Sequence, residues 1–166
     1  MEMIYVVLEI AQSIGISLGV GCSTLAIVNF FAAIADGKID DSERKMMGNV
    51  YVMLRIAMVT ILATTIFLVP FSETHYLSPF MMAFWTLIAV LYTNALLMTK
   101  HIMPSKFGPA IQASTWYSLG VVNALIPLGL THFSYFEFVF GYLAAIALGI
   151  SIVNVTMEHM KNRKNI

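Results

Sequence analysis

The chain has 166 residues, of which 59% are hydrophobic and only 11% are charged. A soluble domain carries about a quarter charged residues, so composition argues against a soluble globular protein. The formal net charge is zero and no basic stripe is present, which argues against a nucleic-acid partner. The single cysteine, Cys22, excludes a disulfide framework and any zinc site built from several cysteines.

Long apolar runs follow one another along the chain, and a helix that crosses a bilayer needs about 20 such residues. Backbone polar groups find no water inside lipid, so helices are the only realistic form for these runs. Pro127 predicts a kink in the outer half of the fourth helix. The sequence therefore predicts an all-α polytopic membrane bundle, a single transmembrane domain over residues 1–166, with five helices at about 4–35, 43–71, 79–100, 108–130 and 136–159.

The segment 36–43, between the first two runs, combines acidic residues with a glycine. It is similar to the second half of a calcium-binding EF-hand loop, but the leading acidic ligands would fall at Ala32 and Ile34. A helix start accounts for the pattern more simply. Asp40 caps the second helix, and Glu43 reaches back to the cap residue in a capping box.

The loops alternate in charge, and this alternation predicts the orientation of the bundle. Segments 72–78 and 131–135 contain no lysine or arginine and are flanked by aromatic residues. The basic residues fall instead after the first, third and fifth runs, at Lys38, Arg44, Lys45, Lys100, Lys106, Lys161, Arg163 and Lys164. By the positive-inside rule, the N-terminus lies outside and the C-terminus in the cytoplasm, in the plasma (cytoplasmic) membrane.

Arg55 is the one basic residue outside this pattern, about 13 Å into the second helix by the helical rise per residue. A charge at such depth costs about 2.5–3.5 kcal/mol on insertion scales, so we expect Arg55 to face the bundle. Other helices carry polar residues at a similar depth: Asn29, Asn94, Gln112, Thr115 and Asn154. These residues predict a polar layer that binds an anion or polar solute. The alternatives are that Arg55 snorkels to the interface or only cross-links helices.

A second polar group lies toward the predicted outer ends of the helices. Glu9 and Gln12 are one turn apart in the first helix, and Asn123 lies in the outer half of the fourth. A Glu9 within the hydrocarbon can shuttle protons or pair with a cation, whereas a Glu9 at the interface is simply solvated. The sequence leaves both interpretations open.

Histidines and methionines at the helix ends raise the question of a metal or haem. His75 and His132 lie at the outer face, and histidine pairs can ligate haem. At the inner face, thioether and imidazole groups together suit Cu(I); the candidates are His101, His159, Met98, Met103, Met157 and Met160. The alternatives are interfacial histidines and methionines that fill apolar surfaces. Haem and copper are thus the candidate cofactors.

Small residues spaced four apart predict close helix packing. Gly15, Gly19 and Ser23 form such a stripe in the first helix, and Gly141, Ala145 and Gly149 form one in the fifth. Each stripe predicts either a seam within the chain or a contact with a second copy or a membrane-complex partner.

About 70 residues at the N-terminus resemble small membrane bundles of the copper-resistance D and protoporphyrinogen-oxidase-like type. The similar elements are a charged loop, a second helix with an arginine, and a first helix with a glycine-rich run: Leu8, Gln12, Gly15, Gly19, Gly21 and Arg55. The resemblance implies haem or metal binding by a histidine of the first helix. The residue that aligns with this histidine is Gln12 here.

The sequence contains no P-loop, nucleophile elbow, HExxH or GxGxxG motif, so nothing in it predicts an enzyme. The leading hypothesis is a membrane bundle that binds or passes a small polar solute or ion at the Arg55 layer. The alternatives are a haem or copper protein and a structural subunit of a larger membrane complex.

Overall fold

The computed structural model describes residues 2–36, 40–69, 78–104 and 107–163. Within these ranges the chain forms no strand and five α-helices: α1 (Glu2–Asp36), α2 (Asp41–Leu68), α3 (Pro79–Thr99), α4 (Gly108–Leu125) and α5 (Tyr135–Arg163). Four of the helices, α1, α2, α3 and α5, are long and apolar enough to cross a membrane. The prediction of an all-helical bundle suited to a lipid bilayer is confirmed to this extent.

Helix starts follow the capping residues of the sequence. The backbone N–H of Glu43 donates to Asp40 Oδ1 at 2.6 Å, and the N–H of Asp40 donates to Glu43 Oε2 at 3.0 Å. The predicted capping box is confirmed. At the start of α3, the Met81 N–H donates to Ser78 Oγ at 3.3 Å, and Pro79 occupies the first turn, where its missing N–H costs no helical hydrogen bond.

The end of α4 differs from the prediction of a kinked helix that continues to residue 130. The helix ends at Leu125, and a turn follows through Gly129, whose φ is +68°. Pro127 has no N–H to donate to Asn123, and the Ile126 N–H bonds to that carbonyl instead, at 3.3 Å. The proline thus terminates the helix. The other helix boundaries differ from the predicted ones by a few residues.

α4 is the central helix of the bundle and packs against α1, α3 and α5. Trp116, near the middle of α4, is 0% exposed and fills the space that Gly19 leaves on α1. α1 packs most extensively against α2, with Gly15 in contact with Thr60. α2 and α3 touch little, although they follow one another in the chain. α2 and α3 are therefore not packed closely against each other.

The seam between α4 and α5 combines small residues with hydroxyl groups. A Cβ at Gly149 would overlap Ser114, whose hydroxyl donates to the carbonyl of Ala145 at 3.2 Å. Gly15, Gly19 and Gly149 thus all lie in seams within the chain. Gly141 differs, because a Cβ there would meet no atom within 4 Å.

Candidate functional site

Arg55 lies on an exposed flank of α2 and makes no hydrogen bond or ion pair with the residues that the structure describes. The core face of α2 is occupied by apolar residues at helical spacing, among them Leu54 and Ile61. Arg55 follows Leu54 directly, so it is turned about 100° away from it around the helix axis. The expectation that Arg55 faces the bundle is therefore wrong. In an exposed position the long side chain can extend toward polar headgroups.

The other residues of the predicted layer form separate contacts. Asn94, 3% exposed, donates from Nδ2 to Gln112 Oε1 at 2.9 Å and to the Gly108 carbonyl at 3.0 Å, which ties α3 to α4. Thr115 shares a hydrogen bond of 2.7 Å with the hydroxyl of Tyr142 on α5. Asn29 and Asn154 make no hydrogen bond within the described ranges. Asn94, Gln112 and Thr115 thus join helices in pairs, and no residue of the predicted layer is hydrogen-bonded to Arg55 in the described part of the chain.

A cavity of about 1150 Å³ opens at the end of the bundle where α1 begins; we call it the end cavity. It lies between the start of α1, the end of α2, the start of α3 and the segment that joins α4 to α5. Its polar lining consists of Glu2, Tyr5, Glu9, Gln12, Thr65, Ser78, Thr131, His132, Ser134 and Glu137. Its apolar lining consists of Val6, Leu68, Pro79, Phe80, Met81, Phe84, Ile126 and Phe133.

The charged groups of the end cavity are acidic. Glu2, Glu9 and Glu137 bring three carboxylates to its wall, and its described lining contains no lysine or arginine. Glu9 is half-buried, and its carboxylate accepts a hydrogen bond from the hydroxyl of Tyr5, one turn earlier in α1. Glu137 accepts from the Ser134 N–H at 2.8 Å in a second capping box, which fixes its position at the start of α5. The described lining therefore has three carboxylates and, apart from His132, no basic side chain.

Gln12 lies deeper in the wall of the end cavity and is 7% exposed. Its Nε2 donates to Thr65 Oγ1 on α2 at 2.9 Å, and the Thr65 hydroxyl donates in turn to the Ile61 carbonyl at 2.6 Å. This chain of hydrogen bonds fixes the amide. Its oxygen has no hydrogen-bond partner in the described part of the chain, which leaves it as an acceptor for a ligand.

Aromatic rings form the apolar side of the end cavity. Phe80 packs against Phe84 and Phe133, with ring centroids 6.3 and 6.1 Å apart. The faces of aromatic rings attract cations, and their surface also accommodates apolar groups. Among the described residues, no three His, Cys, Asp or Glu side chains converge to hold a metal ion. Carboxylates beside aromatic rings suit an organic cation better than a bare metal ion.

Asn123, the third residue of the predicted outer polar group, takes no part in the lining of the end cavity. It is half-buried, and its Nδ2 donates to Ser13 Oγ at a long 3.4 Å. Asn123 therefore joins α4 to α1 beside the cavity. Glu9 and Gln12 are the two members of that group that the structure places together in one wall.

The candidate metal ligands lie at the opposite end of the bundle. His101 is exposed and has a left-handed φ of 55°, and its N–H donates to the Met98 carbonyl at 3.0 Å, which closes the last turn of α3. His159 is exposed, whereas Met157 is buried against Val153.

Two methionines of this set, Met98 and Met103, border Gly108 at the start of α4, and Met160 is half-buried. His132 lines the end cavity, and His75 falls outside the described residues. The haem and copper hypotheses stay predictions.

The sequence analysis did not predict that Glu137 and His132 line one cavity with Glu9. The signal for Glu137 was the Ser134–x–x–Glu137 spacing, which marks the start of α5 and so places a carboxylate at the same end as Glu9. The aromatic residues that flank segments 72–78 and 131–135 do not by themselves predict a cavity. In the structure, Phe80 and Phe133 lie in the wall of the end cavity.

Comparison of the chain with protein-family models, curated proteins and solved structures finds no match. The resemblance of the first two helices to copper-resistance D and protoporphyrinogen-oxidase-like bundles therefore stays a prediction.

Proposed function

We propose that this protein is a membrane helix bundle that binds a small organic cation in the end cavity. The observation that carries the proposal is the composition of the cavity wall. Three carboxylates, those of Glu2, Glu9 and Glu137, line about 1150 Å³, and the described lining contains no lysine or arginine to neutralise them. The proposed function belongs to the class that the sequence predicted, binding of a small solute or ion. We propose Glu9, and not Arg55, as the charged residue of the site.

Electrostatics favours a cation in this position. Glu9 is half-buried, so its charge is less screened by solvent and salt than that of an exposed carboxylate. The cavity volume of about 1150 Å³ lies just above the range of about 300–1,000 Å³ that is common for ligand cavities, so it is large enough for a small organic molecule. Phe80 and Phe133 offer apolar and π surface to the body of such a cation, and Gln12 offers an amide oxygen to an N–H group.

The proposal includes five membrane spans, with α4 as the fifth. α4 has 18 residues, or about 27 Å by the helical rise, which is close to the hydrocarbon thickness of about 30 Å. Its polar residues pack against α1, α3 and α5, so this helix needs less apolar surface than one that faces lipid. The short length and central position of α4 support its role as a span.

The proposed orientation places the end cavity outside the cell, in the plasma membrane. The described basic residues of the helix ends and loops, Arg44, Lys45 and Lys100, lie at the end opposite to the cavity. By the positive-inside rule that end is cytoplasmic. The cavity then opens where α1 begins, toward the external solution.

Equilibrium binding of radiolabelled tetraethylammonium to the purified protein in lipid nanodiscs tests the proposal. We expect saturable binding to the wild type and an affinity at least about tenfold lower for Glu9→Gln, since the loss of an interaction with a charged group costs about 1.5–3 kcal/mol. Glutamine keeps the acceptor for Tyr5, so the helix itself is preserved. Glu158→Gln, an exposed position on α5 away from the cavity, is the control and leaves the affinity unchanged. The absence of saturable binding, or equal affinity in Glu9→Gln, would overturn the proposal.

A further inference from the structure

A second cavity, of about 830 Å³, runs along the face of the bundle between α4 and α5; we call it the lateral groove. Its lining is almost entirely apolar and extends along α5 from Glu137 to Val153, about 24 Å by the helical rise. Leu148 and Ile152, in this wall, are 64% and 62% exposed, so the groove faces the surroundings of the bundle. In a membrane those surroundings are lipid tails.

The groove exists because α5 carries small residues where it would otherwise fill the space. Gly149 is covered by Ser114 of α4, but a side chain at Gly141 would point into open space. Both Gly141 and Ala145 belong to the groove wall. A side chain can therefore start at position 141 of the groove wall without its Cβ overlapping a neighbour.

The lateral groove and the end cavity share two wall residues, Phe133 and Glu137. The lateral groove, which is apolar and faces lipid, thus joins the end cavity at Glu137, one of the three glutamates of that cavity. Neither described lining contains lysine or arginine, so a phosphate or carboxylate headgroup would meet three carboxylates there and, apart from His132, no basic side chain. The combination is complementary to a molecule with a cationic head and an apolar tail.

We propose that the natural ligand class is a single-chain cationic amphiphile, such as a long-chain alkylammonium compound, that enters sideways from the outer leaflet. Its headgroup occupies the end cavity beside Glu9 and Glu137, and its alkyl chain lies in the lateral groove along Gly141 and Ala145. This inference rests on the proposed function and adds to it the chemistry of the tail and the route of entry.

Photolabelling with an alkyltrimethylammonium probe of twelve carbons, with a diazirine at the chain end, tests the inference on the full chain in nanodiscs of zwitterionic lipid. We expect label, mapped by mass spectrometry, in the α4 and α5 segments that line the groove. Gly141→Leu should lower that label by about tenfold, because the leucine fills the space that the chain would occupy. Gly21→Leu is the matched control, because its position is exposed and also open but lies outside the groove, and it leaves the label unchanged.

Tetraethylammonium binding separates failure of this inference from failure of the proposed function. If Gly141→Leu keeps tetraethylammonium binding, the variant is folded, and loss of label then supports the groove. If Gly141→Leu labels as strongly as Gly21→Leu, or a neutral twelve-carbon probe labels the groove equally, the inference is overturned while the cation site stands. If tetraethylammonium does not bind the wild type, the proposed function is wrong, and the inference that rests on it is wrong as well.

Discussion

Gly19 is the residue on which the contact between α1 and α4 depends. Trp116 is completely buried, and its six-membered ring lies where a Cβ of residue 19 would be. A fully enclosed indole ring has no free space into which it can move, so even one methyl group forces the helices apart. Gly21, two residues later, is exposed, and a Cβ there would meet no atom within 4 Å.

We expect Gly19→Ala to lower the free energy of unfolding by about 1–3 kcal/mol, the usual cost of overpacking. Gly21→Ala is the matched control and should cause no loss, because alanine is the better helix former and its methyl group meets only open space. The measurement is denaturant unfolding of both variants in a mild detergent. Equal stability of the two variants would show that Trp116 does not lie against Gly19.

At the scale of the elements, Asn94 is a buried polar link between α3 and α4. Its amide group donates two hydrogen bonds, to Gln112 and to the carbonyl of Gly108, whereas α3 makes little contact with α2. We expect Asn94→Ala to lower the free energy of unfolding by about 1–2 kcal/mol, since two acceptors lose their donor in a buried place.

The control for this prediction is Asn154→Ala on α5. Asn154 is half-buried and makes no hydrogen bond in the described part of the structure. Its replacement should change the free energy of unfolding by less than about 0.5 kcal/mol. If both variants lose the same stability, the amide of Asn94 does not clamp the two helices.

The helices themselves could largely be predicted from the sequence, because apolar length and capping residues act locally. The capping box of Asp40 and Glu43 is an example. The end of α4 was predicted less well, since a proline either kinks or ends a helix and Pro127 ends it. The prediction that Arg55 faces the bundle was wrong, because the depth of a residue along a helix does not determine the face on which it lies.

At the scale of the whole molecule, the end cavity results from the arrangement of helices that are distant in sequence. Glu9 and Gln12 could be predicted as an outer polar pair because they are one turn apart in α1. Their place in one cavity wall with Glu137 could not be predicted, because it depends on how α5 packs and on the weak contact between α2 and α3. A sequence pattern gives the level of a residue in the membrane, whereas the bundle determines which residues meet.

Cysteine modification tests at once whether the end cavity is acidic and whether it opens to the outside. In a Cys22→Ser background, Thr131→Cys places a thiol in the cavity wall, and Leu128→Cys places one on the same connecting segment outside it. The reagents are a cationic and an anionic methanethiosulfonate that do not cross membranes, added to sealed right-side-out vesicles.

We predict that the ratio of cationic to anionic modification rates is about tenfold higher for Thr131→Cys than for Leu128→Cys, since local potentials of several kT concentrate cations. Tetraethylammonium should slow the cationic reaction at the cavity thiol, and Glu9→Gln should reduce the difference between the two sites. Equal ratios at both sites would show that the cavity is not acidic. Modification of the cavity thiol only after the vesicles are opened would show that the cavity does not face the outside.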